Sequence, residues 1–407
     1  MESGELLGLC AEAKRAEPRE TAARGPAVRL IAPMLAAAAL ACAPPPTPET
    51  ELPNTPARMS DIVSALEVAL PYAQDQDAFA SPAAREEIRG ALRALRRNAS
   101  ALELHGGDLT PGFAFFSKRL ADDAAEISAR FNADSHDEAR FLLNELANDC
   151  AGCHVRLPDA AEHTVGTALV AKLANVRPQT RARLLVATRQ FDAALASWEA
   201  SFASRAATPS ALDFDGAIED FLVVSLRVRS DFARAERGLA TLLDREDVPR
   251  YLAQLLAGWR ASLGELSAYQ HSGTLVEARE VLRQAEAQRR YPADRAALVH
   301  DLVASALLHR ALAGGLASPD ERAEASYLLG LAELRSDPSR QLPQAEAYLE
   351  AAIRAAPGSG IAQDAYAVLE EQTVLGWSGS GGFELPSDVR DWLAELHAIA
   401  DGGRARP

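Results

Sequence analysis

Between residues 58 and 154, apolar residues recur every three to four positions in four separate segments, each bounded by residues that start or stop helices. Such a period is satisfied by amphipathic helices that bury their apolar stripes against one another. The first segment runs from about Met59 to Leu70, with Ile62, Leu66 and Leu70 on one face, and Pro71 is expected to end it. The second opens at Ser81-Pro82, an N-cap followed by a first-turn proline; it carries Ile88, Leu92, Leu95 and Leu102 and stops at Gly106-Gly107. The third opens at Thr110-Pro111 and carries Phe116, Leu120 and Ile127. The fourth begins near Ser135, with Glu138 completing a capping box, and places Leu142, Leu146 and Cys150 at i, i+4 and i+8. Short connections predict an up-down-up-down bundle over residues 58–160. Ala and Leu dominate the remainder, and apolar residues make up 48% of the chain, so the expected fold class is all-α.

The chain has four cysteines. Cys10 and Cys42 lie near the N-terminus, which leaves Cys150 and Cys153 in the folded part, followed at once by His154. This C-x-x-C-H spacing is the attachment pattern of c-type haem. Two thiols one helical turn apart can each bond to one haem edge, and the adjacent imidazole then faces the iron as proximal ligand. Three other readings compete. A thioredoxin-like dithiol needs a βαβ context that is absent from the sequence pattern. A disulfide suits an oxidising compartment but leaves His154 unused. A zinc site needs further ligands, and the histidines are scattered.

Four helices with C-x-x-C-H at the end of the last resemble cytochrome c′ and its low-spin relatives, over roughly a hundred residues. The resemblance implies one covalent haem c, bonded by Cys150 and Cys153 and ligated by His154. It also implies a methionine near the start of the first helix as sixth ligand. Met59 occupies that position and is the only methionine beyond the leader. In an up-down-up-down bundle the start of helix one, the end of helix two, the start of helix three and the end of helix four share one pole. His105 therefore stands as the alternative sixth ligand, and Phe113, Phe115 and Phe116 are candidates to wall the haem.

Residues 28–42 read VRLIAPMLAAAALAC. As a helix this run spans roughly 22 Å, short of the ~30 Å hydrocarbon core, so it reads as a signal-peptide core and not as a membrane span. Ala39-Leu40-Ala41-Cys42 resembles a bacterial lipobox, which implies lipid on Cys42 and an exported, membrane-anchored protein of the cell envelope, on the periplasmic or surface side of the outer membrane. Residues 1–41 are the expected leader. They are acidic before Val28, and a start at Val28 would give a conventional leader and remove Cys10. Residues 42–57 are proline-rich and read as an extended tether.

Beyond Pro158 four stretches (181–202, 224–243, 274–292 and 325–357) resemble tetratricopeptide hairpins, with Ala194, Ala235, Ala278 and Ala345 at helix crossings and Leu329-Gly330 at a close-packing position. The steps are irregular. Residues 165–375 are expected to form this repeat domain, and residues 376–407 a glycine-rich loop, pinned by Trp377 and Phe383, with a capping helix from about Pro386 to Ala400. An ordinary α-helical domain is the alternative. The net charge of −15 argues against nucleic acid as a partner. No Ser-His-Asp, HExxH or paired-carboxylate motif is present. The leading expectation is an electron-transfer protein that is not itself a catalyst, with the repeats docking a redox or structural protein partner. A five-coordinate haem that binds nitric oxide or carbon monoxide, and a scaffold with mainly structural haem, remain as alternatives.

Overall fold

The structure, a computed structural model, describes residues 55–106, 110–156, 166–172, 176–268, 271–291, 294–336, 344–380 and 382–403. The leader, Cys42 and most of the proline-rich tether lie outside the described residues. The described chain is all-α, with 18 helices and one pair of two-residue strands.

The first five helices are α1 (Thr55–Ala73), α2 (Gln76–Ala80), α3 (Arg85–Gly106), α4 (Pro111–Asn132) and α5 (His136–His154). Helix α1 packs on α3, α3 on α4, α4 on α5, and α5 back on α1. Their apolar stripes close a core containing Ile62, Leu66, Ile88, Leu92, Leu120, Ile127, Leu143 and Leu146. The caps expected at Thr110-Pro111 form: Thr110 Oγ1 accepts from the Phe113 amide at 3.4 Å, and Pro111 opens α4.

Three expectations need correction. Pro71 does not end the first helix; it lies inside α1, in the last turn. A proline there removes only its own N–H, and the carbonyl that this N–H would have served, Glu67 O, accepts instead from Lys172 Nζ at 3.1 Å. The second helix does not open at Ser81-Pro82. Ser81 ends the extra helix α2, whose N-cap Asp75 accepts from the Ala78 amide at 3.0 Å. Phe79 of α2 is buried edge-on against Phe131, with ring centroids 5.2 Å apart, and so plugs the end of this helix group where α5 begins. At Ser135 no side-chain cap bond forms; Glu138 pairs with Arg130 at 2.9 Å instead of closing a capping box.

The chain continues through α6 (Thr167–Lys172), α7 (Pro178–Ala187), α8 (Phe191–Ala203), α9 (Pro209–Phe214), α10 (Ala217–Val223), a π turn (Val224–Val228), α11 (Phe232–Leu243) and α12 (Arg250–Leu266). It ends with α13 (Leu275–Gln288), α14 (Leu298–Ala313), α15 (Pro319–Ser336), α16 (Gln344–Ala355), α17 (Gly360–Gly376) and α18 (Ser387–Ala400). Consecutive helices pack as neighbours: α7 with α8, α11 with α12, α13 with α14, and then α15, α16 and α17 in turn. Ala194, Ala235, Ala278 and Ala345 are all buried. Helix α14 is apolar enough to resemble a membrane span, but most of it is buried within the fold. The glycine-rich segment is tied by Ser378 pairing with Phe383 and Gly379 with Gly382. The side chains of Trp377 and Phe383 are 49% and 63% exposed.

Residues Pro53–Pro407 form one compact unit. Val155 and the partly buried Ala151 at the end of α5 pack into the core of the second half. Helix α16 also meets α4, where Tyr348 fills the space that a side chain at Gly112 would need.

Gly330 in α15 gives a test of the helix crossings. Helix propensity alone makes Gly→Ala stabilising by about 1 kcal/mol in a helix interior. A Cβ at Gly330 would stand 2.8 Å from Leu349 Cγ and Cδ2 and 3.3 Å from the Ala345 carbonyl. Overpacking of this kind costs about 1–3 kcal/mol. Gly330→Ala should therefore lower stability in urea unfolding, against the sign of its propensity.

Candidate functional site

Helix α5 delivers the C-x-x-C-H residues at its last turn. Its hydrogen-bond ladder runs to the end: the Val155 amide donates to Ala151 O at 3.0 Å, and the Arg156 amide to Cys153 O at 3.1 Å. Cys150 and Cys153 are three residues apart on a helix and so share one face. Both thiols are free.

That face meets a cavity of about 190 Å³ enclosed chiefly by α1, α5 and α7. Cys150, Cys153 and His154 line it from α5, Met59 from α1, and Phe113 from the first turn of α4; most of the remaining wall is aliphatic. Met59, more than ninety residues before the motif, is thus brought to the same cavity. The side chain of His105 lies outside the described residues. Phe113 reaches the cavity, while Phe116 is buried beside Cys153 in a smaller crevice and packs edge-on against Phe115, centroids 5.2 Å apart.

Burial sets the state of the thiols. Removal from water pushes Cys150 up to about 12, helped by the charges of Asp149 and Cys153. Cys153 is pushed up to about 11 by burial, against the pull of Arg156 and Arg189. A reactive dithiol needs the opposite shift, toward thiolate at neutral pH. Asp149, immediately before the motif, is also buried; burial and the neighbouring Asp123 carboxyl push it up to about 7 despite Arg119, whose Nε donates to Asp149 Oδ1 at 2.6 Å.

Two features of the site have no signature in the periodicity. Arg189 lines the cavity from the turn after α7 with φ of 59°, a left-handed conformation usually given to glycine. The sequence offers only the missing glycine at that helix end as a signal. The second feature lies behind Cys153. The Glu333 carboxylate of α15, fully buried, accepts from Arg156 Nη2 at 2.7 Å, Arg227 Nη2 at 2.9 Å, Ser305 Oγ at 2.6 Å and Gln344 Nε2 at 3.1 Å. His309 Nε2 stands 3.5 Å from the same carboxylate. Arg156 also donates to Gly152 O at 2.7 Å, so one guanidinium joins the last turn of the motif helix to α15.

The donor set is chemically that of a covalently held haem: two sulfurs on one face, an imidazole beside them, a thioether on another wall, and an apolar lining. By volume the cavity is small, since cofactor sites usually occupy about 300–1,000 Å³. A neighbouring cleft of about 640 Å³ shares Leu70, Ala147 and Leu184 with it. Among the described residues no group of three or more His, Cys, Asp or Glu side chains is arranged to hold a metal ion by itself. No family model, curated protein or solved structure matches the chain.

The Glu333 cluster predicts a specific loss. Burial raises the Glu333 pKa, but Arg156 and Arg227, with His309, outweigh burial and hold it well below the usual carboxylate range. Glu333→Ala strands two buried guanidinium groups and should cost about 3–5 kcal/mol in urea unfolding. A depressed carboxylate contributes its stability above the unfolded value of about 4.3 and loses it as pH falls through the lower folded value. The gap between wild type and variant should therefore hold steady from about pH 5 to 8 and narrow only in acid.

Proposed function

We propose that this chain is an exported c-type cytochrome lipoprotein, carrying one haem bonded by Cys150 and Cys153 with His154 as proximal ligand. In this reading α1, α3, α4 and α5 form a four-helix haem bundle of the cytochrome c′ kind. The second half is a tetratricopeptide-like array that docks a redox partner, and Cys42 carries the lipid. The observation that carries the proposal is the shared cavity: Met59 and the three motif residues line one apolar space. Bound there, a haem supplies a one-electron iron couple.

The protein's own residues have distinct parts to play. The two cysteines fix position and orientation. His154 presents imidazole from the last turn of α5. Met59 offers a thioether, a ligand that favours the ferrous state and raises the potential, which suits an electron carrier. The aliphatic walls exclude water. A thioether in the cavity favours the carrier reading over an open site for gas binding. The raised thiol pKa values argue against a catalytic dithiol, and among the described residues no clustered ligand set favours zinc.

Expression with a cytochrome c maturation system should yield protein that retains haem on a denaturing gel. Cys150→Ala or Cys153→Ala should weaken the stain, and the double variant should abolish it. Exported wild-type protein without covalent haem would overturn the proposal.

Met59→Ala tests the sixth ligand separately. It should remove the thioether-to-iron charge-transfer band of the oxidised protein, lower the reduction potential and admit carbon monoxide to the reduced iron. A low-spin spectrum unchanged by Met59→Ala would exclude Met59 and make His105→Ala the next variant. A high-spin wild type would favour gas binding.

A further inference from the structure

The side of α3 opposite its buried stripe is basic. Arg89, Arg93, Arg96, Arg97 and Leu104 fall on that side at helical spacing. Arg89 pairs with Glu86, one turn before it. Arg93, Arg96 and Arg97 are exposed, and among the described residues none of the three has an ion pair or a side-chain hydrogen bond. Arg58 on α1 adds a fourth exposed guanidinium, whose Nη1 donates to the neutral Asn98 at 3.1 Å. Against these four cations stands the exposed Asp61, one turn along α1 from Arg58 and also without an ion pair. Leu104, in line with the arginines, is 81% exposed. In a chain of net charge −15, an uncompensated basic face that ends in an exposed leucine has the chemistry of a contact with an anionic, partly apolar surface.

We propose that this face of α3 rests on the anionic phospholipid surface in which the lipid of Cys42 is anchored. The inference rests on the lipoprotein reading above. Two observations make the bilayer the occupant. The first is where the tether joins the fold. The Arg58–Asn98 bond, with Tyr72 Oη donating to Glu87 Oε2 at 2.8 Å, sets α1 and α3 antiparallel, so Leu104 lies at the end where α1 begins. Cys42 stands 13 residues before Thr55, a length of chain that spans at most about 45 Å. An anchored lipid therefore confines the start of α1 to within that distance of the bilayer. The second observation is charge. Each arginine close to an anionic bilayer strengthens binding about fivefold, and the field fades within a Debye length of about 8 Å at physiological ionic strength. Carboxylates elsewhere on the molecule are thereby screened, and the arginine face is the one that approaches. The other exposed apolar group, Leu375, Trp377 and Phe383, stands among the exposed Glu370, Glu371 and Glu384, which an anionic surface repels. A lipid holds the protein at the membrane, and a basic face fixes how it lies there.

The test uses the whole lipidated protein on vesicles of phosphatidylcholine, alone or mixed with phosphatidylglycerol. Flotation with both kinds of vesicle establishes the anchor. Arginines are then labelled with p-hydroxyphenylglyoxal and read by peptide mass spectrometry. Arg93, Arg96 and Arg97 should react about fivefold more slowly on the anionic vesicles. Salt at about 1 M, which cuts the Debye length to about 3 Å, should restore their rates. Arg250 and Arg390, exposed cations elsewhere, should react alike on both vesicles. The Arg93→Gln/Arg96→Gln/Arg97→Gln variant changes exposed positions only, so it should keep wild-type circular dichroism and flotation while Arg58 loses its protection. Equal labelling of anchored wild type on the two vesicles overturns this inference alone. Wild-type protein that carries no fatty acid and does not float overturns the lipoprotein reading, and this inference with it. Protection in whole cell envelopes that is absent on vesicles of their extracted lipids assigns the face to an acidic protein and overturns the proposal.

Discussion

The Glu333 carboxylate ties the two halves of the molecule together. It is fully buried, and its cationic partners come from Arg156, 177 residues earlier, and Arg227, 106 residues earlier. A lone buried carboxylate would protonate or unfold its surroundings; two guanidinium groups and the Ser305 and Gln344 donors make the ionised form the stable one. Burial lowers the pKa of His309, whose Nε2 stands 3.5 Å from the same carboxylate. Because Arg156 stands two residues after His154 and grips Gly152, the orientation of the motif's last turn depends on a helix from the far end of the sequence.

Around that anchor the motif sits between two kinds of surroundings. On one side Cys150, Cys153, His154 and Met59 look into an apolar cavity, where thiols stay protonated. On the other, Cys153 borders a crevice lined by Arg156, His309 and Tyr348. The buried Asp149 is held by Arg119 on α4, which ties the motif helix to α4 as Arg156 ties it to α15. Burial that raises both thiol pKa values, on a helix tethered at both Asp149 and Arg156, is the opposite of the shift a reactive dithiol needs.

Pro71 shows how local disruption is turned to use. The carbonyl that the proline leaves unserved is capped by Lys172, and this draws α6 onto α1. The same lysine then lines the cleft beside the cavity, along with Arg177 from the N-cap of α7. The wall of the cavity and the charge of its neighbour thus both depend on the short segment after the motif.

What the sequence determined by itself is what local physics controls. Apolar spacing marked α1, α3, α4 and α5, glycine and Thr-Pro marked the break between α3 and α4, and C-x-x-C-H picked out three residues that line one cavity. Chain order around four helices was enough to bring Met59 to the cavity, because helix ends at one pole must meet. The extra helix α2, the failed capping box at Ser135 and the continuation through Pro71 were not legible, since each is settled by a partner distant in sequence: Phe131, Arg130 and Lys172. Arg189 at a left-handed turn, the Glu333 cluster and the cationic cleft likewise belong to the tertiary structure alone. Their members are scattered charged residues with no period, and a charge acquires meaning only when packing removes the water around it and decides which opposite charge stands within reach.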